Sequence, residues 1–134
     1  MSYSIQTDDA NKLVIAKFWA KLNAEVFLGY ISEMEKIGAA AENYDLLVLF
    51  HKATEIDLKT SEIRDFAHRK AVFSANSKRV ILAPGALAFG LARVFGMESP
   101  NASGQYTTVK NAEQACEVLE IPFEKLEAGL LVFE

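Results

Sequence analysis

Two stretches of this chain are apolar almost without interruption: Tyr44 to Phe50 (YDLLVLF) and Lys78 to Ala83 (KRVILA). A strand with one wet face alternates apolar and polar residues. A strand without that alternation is covered on both faces, and such strands are usually parallel and central in their sheet. Parallel neighbours cannot be joined by a tight turn. They need long crossovers, normally helical, so these two runs already commit the chain to an α/β architecture.

The remaining segments fit that frame. Residues 2–8 alternate, with Tyr3, Ile5 and Thr7 on one side and Ser2, Ser4 and Gln6 on the other, as in a half-exposed strand. Asp8-Asp9-Ala10-Asn11 reads as a turn. Residues 12–19 (KLVIAKFW) are β-rich on both faces, which predicts a second, deeper strand in an antiparallel hairpin with the first. Residues 22–41 repeat Leu22, Val26, Tyr30, Met34, Ile37 and Ala41 at helical spacing, with Asn23 as a cap. A loop over 51–59 and a helix over about 60–73 separate the two apolar runs, the helix burying Ile63, Phe66, Ala67, the stem of Lys70, and Phe73. A third helix is expected over 85–96, an edge strand over 105–110, and a fourth helix capped by Asn111 and running to Leu119. The order is ββαβαβα plus a tail. Right-handed crossovers then predict a mixed sheet with parallel central strands and helices packed on it.

The 134 residues read as one domain spanning 1–134, with a core over about 3–120 and a tail over 121–134. At 51% hydrophobic with 9 Phe, the chain can fill a core without metal or disulfide staples. Its net charge of −4 disfavours nucleic acid, which rewards clustered Lys and Arg. The densest basic stretch, His68-Arg69-Lys70 with Lys78-Arg79 after it, reads as cations at a helix C-terminus. The single cysteine, Cys116, lies on an apolar helical stripe and reads as a buried structural thiol. No stretch resembles a signal peptide, and no apolar run reaches the roughly 18 residues of a membrane span. A cytoplasmic protein is the expectation.

The order of elements over about residues 3–120 resembles the SpoIIAA-like branch of the STAS fold, the fold of anti-sigma-factor antagonists. So do three local phrases: YDLLVLF followed by loop and helix, VILAPGALAFGLARVFGM, and the strand feeding a helix from Tyr106 to Leu119. Within that branch the likeness is to small bacterial SpoIIAA-like proteins of unknown function. The resemblance implies a regulatory module without enzymatic activity. It also implies a phosphorylatable Ser or Thr where the loop after the central strand enters the next helix. Here Thr60 and Ser61 stand at that place, in Asp57-Leu58-Lys59-Thr60-Ser61-Glu62, without the family's glycine and after a longer loop. A phosphate there would meet free N–H groups at the positive end of a helix dipole, although Thr60 also suits an ordinary cap.

No pattern in the chain specifies catalysis. Gly85-x4-Gly90 has the glycine spacing of a phosphate loop but is followed by Leu91-Ala92, so the lysine that would hold the phosphates is missing. His51 and His68 have no metal-ligand spacing. His51 near Asp57 at a strand end could transfer a proton, but no nucleophile elbow accompanies it, and a solvated or capping histidine is the better reading. The sequence therefore predicts no catalytic residue, no metal and no cofactor.

The most unusual segment is Ala86 to Met97, with nine apolar residues, two glycines and one charge, Arg93. Ala88, Leu91, Ala92 and Phe95 suffice for packing on the sheet. Leu87, Phe89, Val94 and Met97 are left over on other faces. Surplus apolar surface of this kind is covered by the C-terminal run Leu130-Leu131-Val132-Phe133, by a second subunit, or by an apolar ligand, and the expected contacts are Phe89, Arg93, Val94 and Met97 with Leu131 and Phe133 of the tail. The expected function is a regulatory or scaffolding module acting through protein contacts as a homodimer, with a carrier or sensor of a small apolar molecule or lipid as the alternative. If residues 86–97 form the contact, Phe89→Asp weakens association while the monomer stays folded; an unchanged mass in light scattering would count against that surface.

Overall fold

The computed structural model describes residues 3–9, 12–41, 43–51, 55–59, 61, 62, 65, 78–83, 85, 90 and 106–121. Five strands form one mixed sheet: β1 (Tyr3–Asp8), β2 (Leu13–Phe18), β4 (Asp45–Phe50), β6 (Arg79–Leu82) and β7 (Tyr106–Val109), adjacent in that order. Two-residue strands β3 (Leu22–Asn23) and β5 (Ile56–Asp57) pair in parallel as a separate ribbon. Helix α1 spans Ala24–Ala41 and helix α2 spans Ala112–Leu119.

The hairpin predicted at the N-terminus is present. β1 and β2 pair antiparallel over six residues, from Tyr3 against Phe18 to Asp8 against Leu13. The remaining pairings, β2 with β4, β4 with β6 and β6 with β7, are parallel. β2 is buried along its whole length, as its two-faced apolar pattern requires.

Alternation sorts the sheet into two cores. Val14, Ala16, Phe18, Leu46, Val48 and Ile81 face one side and pack with Phe27, Tyr30 and Met34 of α1. Leu13, Ile15, Leu47, Leu49, Val80, Leu82 and Val109 face the other and pack with Ala115, Cys116 and Leu119 of α2. Three layers result, α1 on one face and α2 on the opposite face. Each fully buried aliphatic side chain contributes about 1.5–3 kcal/mol, so the central strands, covered twice, carry most of the stabilisation.

Both asparagine caps predicted from sequence form. Asn23 Oδ1 accepts from Val26 N–H at 2.9 Å, and Asn111 Oδ1 accepts from Gln114 N–H at 2.9 Å. α1 nevertheless starts two residues later than its apolar period suggests, because Leu22 and Asn23 pair with Ile56 and Asp57. The same pairing places a short strand in the expected 51–59 loop. The apolar period also passes over Phe27, which is buried beside Tyr30. Arg79 opens β6 at 2% exposure, and the Lys78 N–H is held by Asp45 Oδ1 at 2.8 Å. Cys116 is buried, as predicted.

Of the two middle helices, Ser61, Glu62, Asp65 and Gly90 are helical, and Gly85 sits in a bend where the third helix was expected to start. His68-Arg69-Lys70, the expected core residues Ile63, Phe66, Ala67 and Phe73, and the tail lie outside the described residues. No described helix is long and apolar enough to cross a membrane.

α1 crosses the edge strand at Gly29. A Cβ there would lie 3.3 Å from the Tyr3 hydroxyl, which donates to Glu33 Oε1 at 3.0 Å. Gly29→Ala removes a helix-interior glycine, worth roughly 0.8–1 kcal/mol of helix propensity. In the wild type the crowded hydroxyl offsets part of that gain; in a Tyr3→Phe background the gain is larger. Chemical denaturation of the four proteins of this double-mutant cycle measures the coupling, and strict additivity would show that the hydroxyl contact has no energetic weight.

Candidate functional site

In open α/β sheets, ligands bind beyond the carboxyl ends of the parallel strands. Here that end is formed by Phe18-Trp19, Phe50-His51 and Ala83. The ladder continues one step past the strands, since His51 N–H donates to the Phe18 carbonyl at 2.9 Å and Ala83 N–H to the Val109 carbonyl at 2.9 Å.

On the α1 side this end is an aromatic cluster. Phe18 stacks on Phe50 with centroids 5.2 Å apart and meets Tyr30 edge-on at 5.1 Å. Tyr3 contacts Phe18 at 5.8 Å and Tyr30 at 6.2 Å. Edge-to-face and offset aromatic pairs add about 0.5–1.5 kcal/mol each beyond area burial. The cluster lies between α1 and the ends of β2 and β4.

On the α2 side, alternation brings Lys17, Trp19 and His51 to one face. Lys17 is only 6% exposed, while Trp19 and His51 are half-buried. In the sequence Lys17 lies in a two-faced strand and is not singled out. Its position between Ile15 and Trp19, in a strand flanked on both sides, was the available signal.

The β3–β5 ribbon lies beside this end of the sheet. Leu22 N–H donates to the Glu55 carbonyl at 2.7 Å, and Lys21 Nζ lies 3.5 Å from Asp57 Oδ2, both side chains well exposed. Asp57, the sequence candidate for a partner of His51, is thus engaged with Lys21. Glu62 reaches back to the Lys59 N–H at 2.9 Å, the reciprocal half of a capping box. Ser61 is exposed in that first turn. Thr60, Leu87, Phe89, Arg93, Val94, Met97, Leu131 and Phe133 lie outside the described residues. Among the described residues, no group of three His, Cys, Asp or Glu is placed to hold a metal ion.

From β2 onward each crossover moves one strand farther in the same direction, β2 to β4 to β6 to β7. The crevice that hosts ligands in doubly wound sheets opens where the order reverses. Among the described strands it never does. Comparison with protein-family models, with curated proteins and with solved structures found no match to this chain.

Two tyrosines carry shifted ionisations. Burial, reinforced by the hydrogen bond and charge of Glu33, raises the Tyr3 phenol above its usual 10.0. The bond to Asp9, 2.8 Å from the Tyr44 hydroxyl, raises Tyr44, with burial and the Asp9 charge adding to it. A raised phenol binds its proton more tightly in the fold than in the unfolded chain, so its contribution is complete below pH 10 and is lost as pH climbs through the folded value. Stability should therefore fall above pH 10. In an ultraviolet titration of the native protein, Tyr3→Phe and Tyr44→Phe should each remove one late-titrating phenol from the four tyrosines. A native titration centred on 10 with no late component would exclude both bonds.

Proposed function

We propose that this chain is a non-enzymatic regulatory or scaffolding module of SpoIIAA-like STAS type, acting through protein contacts as a homodimer. The observation that carries this reading is the strand order. Because it does not reverse, the carboxyl end of the sheet forms no switch-point crevice among the described strands. The aromatic cluster of Tyr3, Phe18, Tyr30 and Phe50 occupies the α1 side of that end.

The mixed sheet with one antiparallel edge and parallel centre agrees with the STAS resemblance. Ser61, exposed in the first helical turn beyond β4, stands where a regulatory phosphate would act. A phosphate on Ser61 would compete with the Glu62 carboxylate for the Lys59 N–H, which couples modification to the start of that helix.

Light scattering during size exclusion, followed by native mass spectrometry on the same peak, tests the reading. A dimer of 29.6 kDa, twice the 14.8 kDa chain, with no added mass is expected. A 14.8 kDa monomer retaining a small molecule would overturn it in favour of an apolar-ligand carrier.

A further inference from the structure

Strand β1 is an edge of the sheet, and the backbone hydrogen bonds fix which of its groups point outward. The Lys12 carbonyl accepts from Asp45 and the Phe18 carbonyl from His51, so the even-numbered residues of β2 face β4. The odd-numbered ones, Leu13, Ile15 and Lys17, face β1, where they oppose Asp8, Gln6 and Ser4. The N–H and C=O groups of Tyr3, Ile5 and Thr7 therefore point away from the sheet. Among the described residues, no strand pairs with them. Gln6 and Thr7 are exposed.

The devices that protect an edge strand from within its own sequence are lysine, proline, bulges and shortness. β1 has none of these over Tyr3–Asp8: its six-residue register is unbroken and its single charge, Asp8, is at the end. The other edge, β7, has four residues.

We infer that β1 pairs antiparallel with β1 of a second copy, joining two five-stranded sheets into one across a two-fold axis. The inference rests on the homodimer proposed above and names its surface. The strand is self-complementary about Ile5. Centred there, Ile5 meets the partner's Ile5, Tyr3 meets the partner's Thr7, and Ser4 meets the partner's Gln6. The three outward-pointing residues of each copy then satisfy one another, as an isologous interface requires. Aromatic with β-branched and β-branched with β-branched are favourable cross-strand pairs. No charged residue falls within the paired span 3–7, so no like charges are opposed.

Thr7→Pro tests this directly. It deletes an outward N–H and places a ring against the partner strand while leaving the β1–β2 ladder bonds of Ser4, Gln6 and Asp8 in place. Light scattering is expected to show 29.6 kDa for the wild type and 14.8 kDa for Thr7→Pro, with unchanged circular dichroism. A dimeric Thr7→Pro protein would overturn the edge pairing and leave the homodimer reading standing; a monomeric wild type would overturn both. Hydrogen exchange on the wild type is a second test, independent of whether the variant folds. The Ile5 and Thr7 amides should exchange slowly in the dimer and speed up on dilution, and fast exchange in an intact dimer would sink the proposal.

Discussion

The fold depends on β4 being covered from both sides. Leu46 and Val48 face α1 while Leu47 and Leu49 face α2, and the strand is hydrogen-bonded to β2 on one flank and β6 on the other. A strand with four apolar residues in succession cannot sit on a surface without exposing two of them. Burying it requires a helix on each face, and both helices are anchored by asparagine caps that turn the chain back over the sheet. Asp45 links the elements at the amino end. Its N–H binds the Lys12 carbonyl and its carboxylate the Lys78 N–H, so the start of β4 holds the hairpin and β6 in register together.

The opposite end of the sheet is where function would be sought in most α/β proteins, and here packing has taken the space on one side. Phe18, Tyr30, Phe50 and Tyr3 interlock at the ends of β1, β2 and β4, and the Tyr3 hydroxyl ties the edge strand to α1 through Glu33. Among the described strands the order runs one way, without the reversal at which a switch-point crevice opens. Among the described residues no strand pairs with the outer side of β1, whose Tyr3 and Ile5 are seated on the α1 core. Rigid, uncharged edges favour recognition by another strand, since their backbone groups are already aligned.

Much of the fold is legible in the residues. The alternation of Tyr3, Ile5 and Thr7, the unbroken runs of β2, β4 and β6, and the caps Asn23 and Asn111 each act within a few residues of chain, and local pattern reports local preference faithfully. The misreadings are long-range. Leu22 and Asn23 continue the helical period of α1, yet they form a strand because Ile56 and Asp57, more than thirty residues later, supply a pairing partner. Lys17 and Arg79 lie in strands read as covered on both faces, yet a cation carries no local sign of its own burial, and both are closed over by neighbouring elements. Of the residues singled out from sequence as regulatory or interface sites, Ser61 alone falls among those described, exposed in a helical turn; of the pair weighed for proton transfer, His51 is half-buried and Asp57 is engaged with Lys21.

The sequence by itself determined the class of architecture, through hydrophobic periodicity that permits only two-faced strands with crossover helices, and it determined the helix starts through capping side chains. Only the tertiary structure decided the strand order, the division of apolar residues into two cores, and which backbone groups of β1 point outward. Those properties follow from which strands lie side by side. Pairing partners are chosen by the free energy of the whole packed sheet, a quantity spread over residues far apart in the chain and so not readable from any one segment.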